Sequence, residues 1–347
     1  MKNQMLAAVL YGREELRVEP VAVPAPGPGD VLVKVSVALT CGTDLKVFRR
    51  GYHARMIVPP AVLGHEMAGE VVETGAGAER FRKGQRVVAA NSAPCEACYF
   101  CARGQENLCE DLLFNNGAYA EYIRIPARIV SRNLYEIPDH IGYQDAALIE
   151  PLACVIRGLD EMRLRAGDTL AVIGLGPIGL MFVRLAKTMD ARVIAVGRRK
   201  TQLDKAARMG ADELISVDTA PNAVEAVTRL TYRGRGADAA VEAVGSTETW
   251  QWAIAMVRSG GTVNLFGGCP SGSEIALETA RLHYSEITLK SSFHHTPAHV
   301  RRALDVIFRG DIRAADFVTG EAPLAEVPGV FRHMLNRNGH LKTAILP

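Results

Sequence analysis

The sequence lacks any long apolar stretch. None of its apolar runs reaches the ~18–20 residues that a membrane-spanning helix needs, and residues 1–6 show no secretory pattern because Tyr11 and Arg13 soon follow. An excess of one charge is also missing, since 40 basic and 38 acidic side chains leave a formal net charge of +2. We therefore expect no membrane and no nucleic acid as a partner, and we expect a cytoplasmic location.

The chain also has no repeat at a fixed period and no low-complexity segment. Its 347 residues exceed what one hydrophobic core usually holds, so we expect two domains. Apolar residues make up 48% of the chain and charged residues 22%, which is typical of a globular enzyme.

The first 150 residues have the pattern of β-structure. Valines at alternate positions from 31 to 37 are separated by the polar residues Lys34 and Ser36, as in a half-buried strand. Further short strands are predicted around residues 70–72 and 86–88, and another at residues 344–346. This pattern predicts a small barrel or sandwich.

After residue 150, strands and helices alternate. Apolar runs at residues 169–173, 192–196, 239–241 and 262–266 indicate strands. A helix is predicted after the first of them, with an apolar face formed by Ile178, Met181, Phe182, Leu185 and Met189. Such alternation predicts a parallel α/β sheet.

Four cysteines at short spacing give the strongest motif in the chain. They form the pattern Cys95-x2-Cys98-x2-Cys101-x7-Cys109. Four thiolates can close a tetrahedral shell around one zinc ion and leave no position for water, which is typical of a structural site. An iron–sulfur cluster fits this spacing poorly, and four unrelated buried cysteines are the remaining alternative.

A second set of metal-binding side chains is spread over three segments. Cys41 begins the run Cys-Gly-Thr-Asp, His65 and Glu66 follow Gly64, and Glu150 begins Glu-Pro-Leu-Ala-Cys. Thiolate, imidazole and carboxylate together suit a catalytic zinc with one open position. Each segment alone is a weak signal, because a single histidine or cysteine is more often a core residue.

A glycine motif follows the strand predicted at residues 169–173. Gly174, Gly176 and Gly179 have the spacing Gly-x-Gly-x-x-Gly, with Pro177 and Ile178 between the last two. In a strand–turn–helix context, the glycines let backbone N–H groups approach a pyrophosphate at the positive end of the helix. The motif predicts a dinucleotide-binding site.

The end of the second strand bears on the choice of cofactor. An NAD site normally carries an acidic residue about 20 positions after the glycine motif. Here Gly197 occupies that place, and Arg198, Arg199 and Lys200 follow. A basic cluster without a carboxylate favours the 2′-phosphate of NADP, with NAD as the alternative cofactor if the cluster is only a solvated loop.

These motifs, together with Gly-Ala-Tyr-Ala-Glu-Tyr at residues 117–122, occur in the same order as in a known family. Over essentially its whole length the chain resembles the zinc-containing medium-chain alcohol, sorbitol and threonine dehydrogenases. The resemblance implies an α/β protein with a GroES-like β-barrel catalytic domain at residues 1–152, to which residues 294–347 return. It also implies a Rossmann domain with a doubly wound parallel sheet at residues 153–293, two zinc ions per chain, and a homodimer or homotetramer.

The resemblance also implies roles for the metal-binding set. Cys41 and His65 should bind the catalytic zinc. Glu66 ligates the metal in the polyol dehydrogenases and lies just behind it in other members. Glu150 occupies the place of a carboxylate that ligates or approaches zinc in bacterial secondary-alcohol and sugar dehydrogenases. Cys154 stands where yeast-type alcohol dehydrogenases have a ligating cysteine, and Glu150 is favoured over it because Glu-Pro-Leu matches the polyol branch.

Further roles follow from the same resemblance. Thr43 should hydrogen-bond the substrate oxygen, and Asp44 should orient His65. Lys46 replaces a histidine that passes the alcohol proton to solvent in many relatives, which leaves the proton route open. Candidates for the substrate pocket, each of which could equally be structural, are Phe48, Phe114, His294 and His295.

The expected reaction is the transfer of a hydride between NADP(H) and a small-molecule alcohol, namely a secondary alcohol, polyol or sugar derivative. The polar segment at residues 291–296 favours a polyol, because its side chains could pair with substrate hydroxyls. One alternative is an NAD-dependent dehydrogenase of the sorbitol or threonine type. Another is a catalytically inactive relative that only binds nucleotides.

Overall fold

The structure is a computed structural model that describes residues 3–53, 56–336 and 341–347. The chain forms two compact units. Unit 1 consists of Met1–Ala153 and His295–Pro347, and unit 2 consists of Cys154–His294. Among the described residues, no helix has both the length and the apolar composition that a membrane span requires.

Strands and helices are numbered here in chain order. The strands are β1 Gln4–Gly12, β2 Glu15–Ala22, β3 Val31–Leu39, β4 Ala61–Val62, β5 Glu66–Thr74, β6 Arg86–Ala89, β7 Ser92–Ala93, β8 Leu113–Phe114, β9 Tyr122–Ile125, β10 Leu134–Glu136, β11 Thr169–Ile173, β12 Arg192–Gly197, β13 Glu213–Ser216, β14 Ala237–Glu242, β15 Val257–Leu265, β16 Thr288–Lys290, β17 Val318–Pro323 and β18 Lys342–Leu346. The helices are α1 Gly42–Arg50, α2 Ala127–Asn133, α3 Tyr143–Ala146, α4 Ile149–Met162, α5 Pro177–Thr188, α6 Lys200–Arg208, α7 Ala223–Arg229, α8 Thr247–Met256, α9 Thr279–Tyr284, α10 Pro297–Phe308, α11 Ala314–Phe317 and α12 Val327–Leu335.

The main sheet of unit 1 is built around β3. Its strands lie in the order β10-β6-β5-β3-β18-β17, and β9 also pairs with β3. The alternating valines of β3 are buried while Lys34 is exposed, as the period of two in the sequence predicted. A separate small sheet has the order β2-β1-β4. The predicted β-rich, GroES-like architecture is confirmed for this unit.

Unit 2 contains a six-stranded sheet in the order β13-β12-β11-β14-β15-β16, and all of its strand pairs are parallel. Counted within the unit, this order is 3-2-1-4-5-6, the order of a doubly wound dinucleotide-binding fold. The strands predicted at residues 169–173, 192–196, 239–241 and 262–266 correspond to β11, β12, β14 and β15. The predicted Rossmann architecture is therefore confirmed.

Helix α5 differs from its prediction at one end. It begins at Pro177, where the fixed φ of proline suits the first helical position, and Met181, Phe182 and Leu185 are buried as predicted. Met189 was wrongly placed on this face. It lies just beyond the last helical residue and is 36% exposed, because the chain turns there and continues toward β12.

Candidate functional site

The four cysteines of the predicted structural zinc site come together in unit 1. Their sulfur atoms all lie within 4.8 Å of one another. Sγ of Cys98 is 3.5 Å from Sγ of Cys101 and 3.8 Å from Sγ of Cys109. Four thiols at this separation match the donor set of a closed tetrahedral zinc site.

Backbone N–H groups support the sulfur atoms of this quartet. The N–H of Cys95 donates to Sγ of Cys109 over 3.2 Å, and the N–H of Ala97 donates to Sγ of Cys95 over 3.5 Å. Backbone hydrogen bonds from Cys101 and Glu110 lower the pKa of the Cys98 thiol to about 6. The backbone therefore favours the thiolate of Cys98, the form that binds a metal, whereas burial raises the pKa of Cys101 and of Cys109.

The site that contains Cys41 forms where β3 ends beside the first residue of the antiparallel strand β5. Cys41 follows β3 and is the N-cap of α1, while His65 directly precedes β5. Leu39 pairs with Glu66 in the β3–β5 ladder, so the two segments meet. Sγ of Cys41, a ring nitrogen of His65 and a carboxylate oxygen of Glu66 lie within 4.8 Å of one another.

The chain turns sharply at Gly64, immediately before the histidine. Gly64 has a φ of 93°, and a Cβ at this position would lie 2.8 Å from the backbone nitrogen of Tyr119. Glycine is therefore required both for the backbone conformation and for the close approach of the segment around Tyr119. That segment brings a tyrosine side chain to the site.

A buried hydrogen-bond network holds the imidazole of His65. Nδ1 of His65 is 2.9 Å from Oδ1 of Asp44, and the hydroxyl of Tyr119 donates to Oδ2 of Asp44 over 2.7 Å. Asp44 and Tyr119 are fully buried. Burial, followed by the charge of Asp44, raises the pKa of Tyr119 well above its usual value, so the hydroxyl remains a donor. The sequence indicated the Asp44 contact but not that of Tyr119.

Glu66 has a partner that the sequence analysis missed. Nζ of Lys342 lies 2.7 Å from Oε1 of Glu66 and also contacts Oε2. Burial alone would lower the pKa of Lys342, but the carboxylate of Glu66 outweighs this effect and raises it, with smaller contributions from Cys41 and Glu150. The available signal was a single charged residue within the otherwise uncharged segment at residues 341–346.

The residues of this second site fit a zinc ion. Thiolate, imidazole and carboxylate are the donors of a catalytic zinc that keeps one position open. Burial tends to lower the pKa of His65, yet the negative charges of Asp44 and Cys41 outweigh it and raise the pKa well above its usual value. Surroundings that favour a proton on this imidazole also favour a metal cation.

Glu150 and Thr43, two further predicted site residues, lie outside the group formed by Cys41, His65 and Glu66. Glu150 is buried. Its carboxylate is 4.0 Å from Nε2 of His295. The backbone N–H of Thr43, in the first turn of α1, donates to Sγ of Cys41 over 3.4 Å.

Lys46 and Cys154 differ in their exposure to solvent. Lys46 is exposed on α1, and Cys154 is partly buried on α4, four residues after Glu150. A spacing of four places two side chains on the same face of a helix. The competition between Glu150 and Cys154 that the sequence raised therefore stays open.

The residues predicted for the substrate pocket have different surroundings. Phe48 is 2% exposed and packs edge-on against Phe331 at 5.4 Å in the core of unit 1, which favours its structural alternative. The apolar face of α1 points that side chain into the core. Phe114 lies in β8 opposite Ser92, and His294 has a positive φ of 67°.

Two side chains of the polar segment at residues 291–296 are buried and lie close to other side chains of the protein. Ser292 is buried, and its hydroxyl accepts a hydrogen bond from the amide of Asn264 over 2.9 Å. His295 is also buried, with Nε2 3.4 Å from Oδ1 of Asn91. Ser291 and Phe293 are exposed.

In unit 2, the glycine motif forms the turn between β11 and α5. A Cβ on Gly179 would lie 1.8 Å from the carbonyl oxygen of Gly174, so only glycine allows the helix to pack this close to the turn. Gly176 is the N-cap of α5, and the position of its missing side chain is open, with no atom within 4 Å. The helix N-terminus is thus accessible to a pyrophosphate.

The end of β12 carries the predicted cofactor-selecting residues. Gly197 is buried, and a Cβ there would lie 2.7 Å from Cδ1 of Leu175, which leaves little space for a side chain. Arg198 is exposed, and its Nε is 3.4 Å from Oδ1 of Asp218. Arg199 is the N-cap of α6. The contact with Asp218 was not foreseen, because that residue follows a different strand.

Glu242, at the carboxyl end of β14, is another residue that the sequence analysis missed. It is fully buried, and Oε1 accepts hydrogen bonds from the N–H groups of Val244 and Gly245 and from the hydroxyl of Thr249. These bonds fix the turn that leads into α8. The turn lies beside the glycine motif, since a Cβ on Gly174 would meet the Val244 side chain at 2.5 Å.

Two protein-family models match this chain, one in its N-terminal part and one in the segment that follows. The family model for the alcohol dehydrogenase GroES-like domain matches residues 27–139, and the model for zinc-binding dehydrogenases matches residues 177–309. The sorbitol dehydrogenase of Bacillus subtilis (strain 168) is 32% identical over 353 residues, which cover 99% of this chain and 98% of that protein. The sorbitol dehydrogenase of Bombyx mori is 30% identical, with 92% of each chain covered.

A solved structure is similar over the whole chain. It is a zinc-binding dehydrogenase from Sinorhizobium meliloti 1021 bound to NADP, with a TM-score of 0.90, 31% identity and all of both chains covered. Full-length relatives above 30% identity, two matching family models and the two kinds of sheet lead to one assignment. The chain belongs to the zinc-dependent medium-chain dehydrogenase family.

Proposed function

We propose that this protein is a zinc-dependent dehydrogenase that transfers a hydride between NADP(H) and a secondary alcohol bearing further hydroxyls, a polyol or a sugar derivative. The observation that carries the proposal is the group of Cys41, His65 and Glu66, of which the last two are buried, because this mixed donor set suits a catalytic zinc. Sorbitol is the substrate named for two of its full-length relatives.

Cys41, His65 and Glu66 would hold the catalytic zinc. A zinc ion bound there supplies a Lewis acid for the substrate oxygen. Asp44 holds the imidazole through its Nδ1, so that Nε2 is the nitrogen left for the metal. Thr43 follows Cys41 by two residues, in the first turn of α1, and is assigned the hydrogen bond to the substrate oxygen.

Each unit has its own part in the proposal. Residues 1–152 and 294–347 form the catalytic domain, and residues 153–293 bind the nicotinamide cofactor, which supplies the hydride acceptor or donor. The open N-terminus of α5 at Gly176, with Pro177, Ile178 and Gly179, would receive the pyrophosphate. The two compact units support this division.

The preference for NADP(H) rests on the end of β12. Arg198 is exposed there and can reach a phosphate, and Gly197 lacks the carboxylate that an NAD site would carry at this place. Asp218 supports the alternative, because its carboxylate lies beside Arg198 and could accept hydrogen bonds from a ribose. An NAD-dependent enzyme of the sorbitol type is therefore the second candidate.

Kinetics with both cofactors separate the two candidates. Arg198→Ala should raise the KM for NADP(H) about three- to tenfold, since an exposed contact is partly screened by water, and should leave NAD(H) unchanged. Arg229→Ala is a matched control, because Arg229 is 70% exposed and lies 3.4 Å from Glu225, much like the Arg198–Asp218 pair. A parent enzyme that uses both cofactors equally would contradict the NADP preference.

We further propose that Glu150, rather than Cys154, acts beside the catalytic metal. Glu150 is buried in unit 1, and its charge contributes to the raised pKa of Lys342. Glu150→Ala and Cys154→Ala are compared for zinc content and turnover. Loss of zinc from Cys154→Ala with full retention in Glu150→Ala would reverse the assignment.

A homodimer or homotetramer formed through the cofactor-binding sheets is also proposed. Within the described part of the chain, β16 pairs only with β15 and so ends the sheet of unit 2 at an edge. A cytoplasmic location is proposed because the cysteines gather into metal-binding groups rather than pairs, which a reducing compartment preserves. Sedimentation equilibrium tests the first proposal, and cell fractionation tests the second.

Metal analysis and a substrate panel test the main proposal. Purified protein should contain close to two zinc ions per chain. The panel comprises sorbitol, xylitol, sugar phosphates, 2-propanol, 2-butanol and ethanol with each cofactor, and kcat/KM should be highest for a polyol or sugar derivative. Greater efficiency with ethanol or 2-butanol than with every polyol would contradict the substrate class, and one zinc ion per fully active chain would contradict the zinc assignment.

A further inference from the structure

Lys342 brings a positive charge into the interior of unit 1. Its side chain is 3% exposed, and Nζ contacts both carboxylate oxygens of Glu66. Nζ also donates to the backbone oxygen of Thr40 over 3.0 Å. An ammonium group has three N–H donors, so these three acceptors use all of them.

The position of this ammonium group is fixed by its own strand. The N–H of Thr343 donates to Oγ1 of Thr40 over 2.8 Å, and the N–H of Thr40 donates to the carbonyl oxygen of Thr343 over 3.0 Å. Thr40 directly precedes Cys41 in the chain. The same contacts therefore fix both the lysine and the cysteine of the site.

The carboxylate of Glu66 lies between two places that can hold a cation. One is occupied by Lys342, and the other is the space among Glu66, Cys41 and His65. Electrostatic attraction is strong in a buried environment because little water screens it. Negative charge that the carboxylate shares with the ammonium group is less available to a metal ion.

We propose that Lys342 is a positioning residue that weakens the bond between Glu66 and the catalytic metal and keeps Glu66 an exchangeable ligand. This inference rests on the proposed function, which assigns zinc to Cys41, His65 and Glu66. A weakly bound carboxylate neutralises less of the charge on the metal and leaves a coordination position for the substrate oxygen. Lys342 would thus act on the reaction without touching the substrate.

A purely structural ion pair would behave differently. If Lys342 only compensated a buried carboxylate, its removal would lower stability and leave the metal chemistry unchanged. The informative measurements are therefore the rate of zinc release and the coordination of the metal, in addition to turnover.

The experiment uses the full-length protein and four variants. Lys342→Met removes the charge from a side chain of similar length, and Lys342→Arg keeps the charge. Glu66→Gln and the double variant Glu66→Gln/Lys342→Met show whether the lysine acts through the carboxylate. Zinc release to a coloured chelator is followed over time, and visible spectra are recorded after exchange with cobalt(II). The cysteine quartet is common to all variants, so spectral differences report the other site.

In Lys342→Met, zinc should leave the catalytic site about tenfold more slowly than it does in the parent. The cobalt bands should shift, and kcat should fall about tenfold. Lys342→Arg should stay within about threefold of the parent. In the Glu66→Gln background, adding Lys342→Met should change zinc release by less than about twofold. If Lys342→Met does not fold, Lys342→Gln, which also removes the charge, replaces it in each of these comparisons.

Two results would overturn the inference. One is a folded Lys342→Met protein with two zinc ions whose release rate and cobalt spectrum match those of the parent. The other is an equal effect of Lys342→Met with and without Glu66, because the lysine would then not act through the carboxylate. A parent protein with one zinc ion per active chain would instead refute the proposed function on which the inference rests.

Discussion

The two cysteine sites of unit 1 are built in different ways. The quartet comes from one loop between Cys95 and Cys109, and its sulfur atoms receive hydrogen bonds from nearby backbone N–H groups. The site of Cys41 and His65 combines distant segments and is surrounded by buried charged or polar side chains. A site that only stabilises the fold needs a local loop, whereas a site that activates an oxygen needs charges fixed from several directions.

The difference in burial has an energetic consequence. Three of the four quartet cysteines are partly exposed, so water can stabilise their charge. Asp44, Glu66 and Lys342 are each within 3% of complete burial, and an ionised group there is costly unless it has a partner. We therefore expect variants at the two sites to affect different properties of the protein.

The largest expected effect is on turnover. Cys41→Ser should reduce kcat/KM at least about 1000-fold, because loss of a Lewis acid costs several kcal/mol in the transition state. The melting temperature should stay within about 3 °C of the parent, since the serine keeps the N-cap of α1. Turnover, zinc content and thermal melting are measured on the same preparation. Comparable activity in this variant would remove the functional distinction between the two sites.

The next effect is on stability. Cys98→Ser should lower the free energy of unfolding by on the order of 3 kcal/mol, because the quartet would lose its metal. The melting temperature should fall by about 4 °C for a protein of this size. Zinc content should drop from two ions to one, and the remaining activity per folded molecule should be close to that of the parent. Unchanged melting would show that the loop does not depend on zinc.

The smallest effect concerns the tyrosine behind Asp44. Tyr119→Phe removes the hydroxyl that donates to Oδ2 of Asp44 and should accelerate zinc release from the catalytic site about tenfold. Tyr135→Phe is the matched control, because that hydroxyl donates to the backbone oxygen of Arg132 instead. Equal zinc release from both variants would mean that Asp44 orients His65 without help from Tyr119.

The sequence predicted those features that are coded by neighbouring residues. The cysteine spacing and the glycine turn belong to this class, since their geometry follows from a few consecutive residues. Lys342 could not be assigned, because its contact with Glu66 spans 276 residues and depends on β18 entering the sheet beside β3. Asp218 was missed for the same reason, since the order of parallel strands brings it to Arg198.

Phe48 was left between a place in the substrate pocket and a structural role. The apolar face of α1 carries it into the core against Phe331, which favours the structural role. A helical reading of residues 42–50, in which Leu45 and Phe48 are three apart, would have indicated burial.

The insertion of unit 2 within unit 1 sets an order for folding. As the chain is synthesised, Cys154–His294 is complete before the second segment of unit 1 exists. Strand β18 lies between β3 and β17, so the main sheet of unit 1 can close only after that strand arrives, with Thr343 pairing to Thr40 across 303 residues. Contacts so distant along the chain form slowly. The cofactor-binding sheet can thus form first. Cys41, His65 and Glu66 precede unit 2 in the chain, whereas the buried ammonium group of Lys342 reaches Glu66 only when β18 joins the sheet.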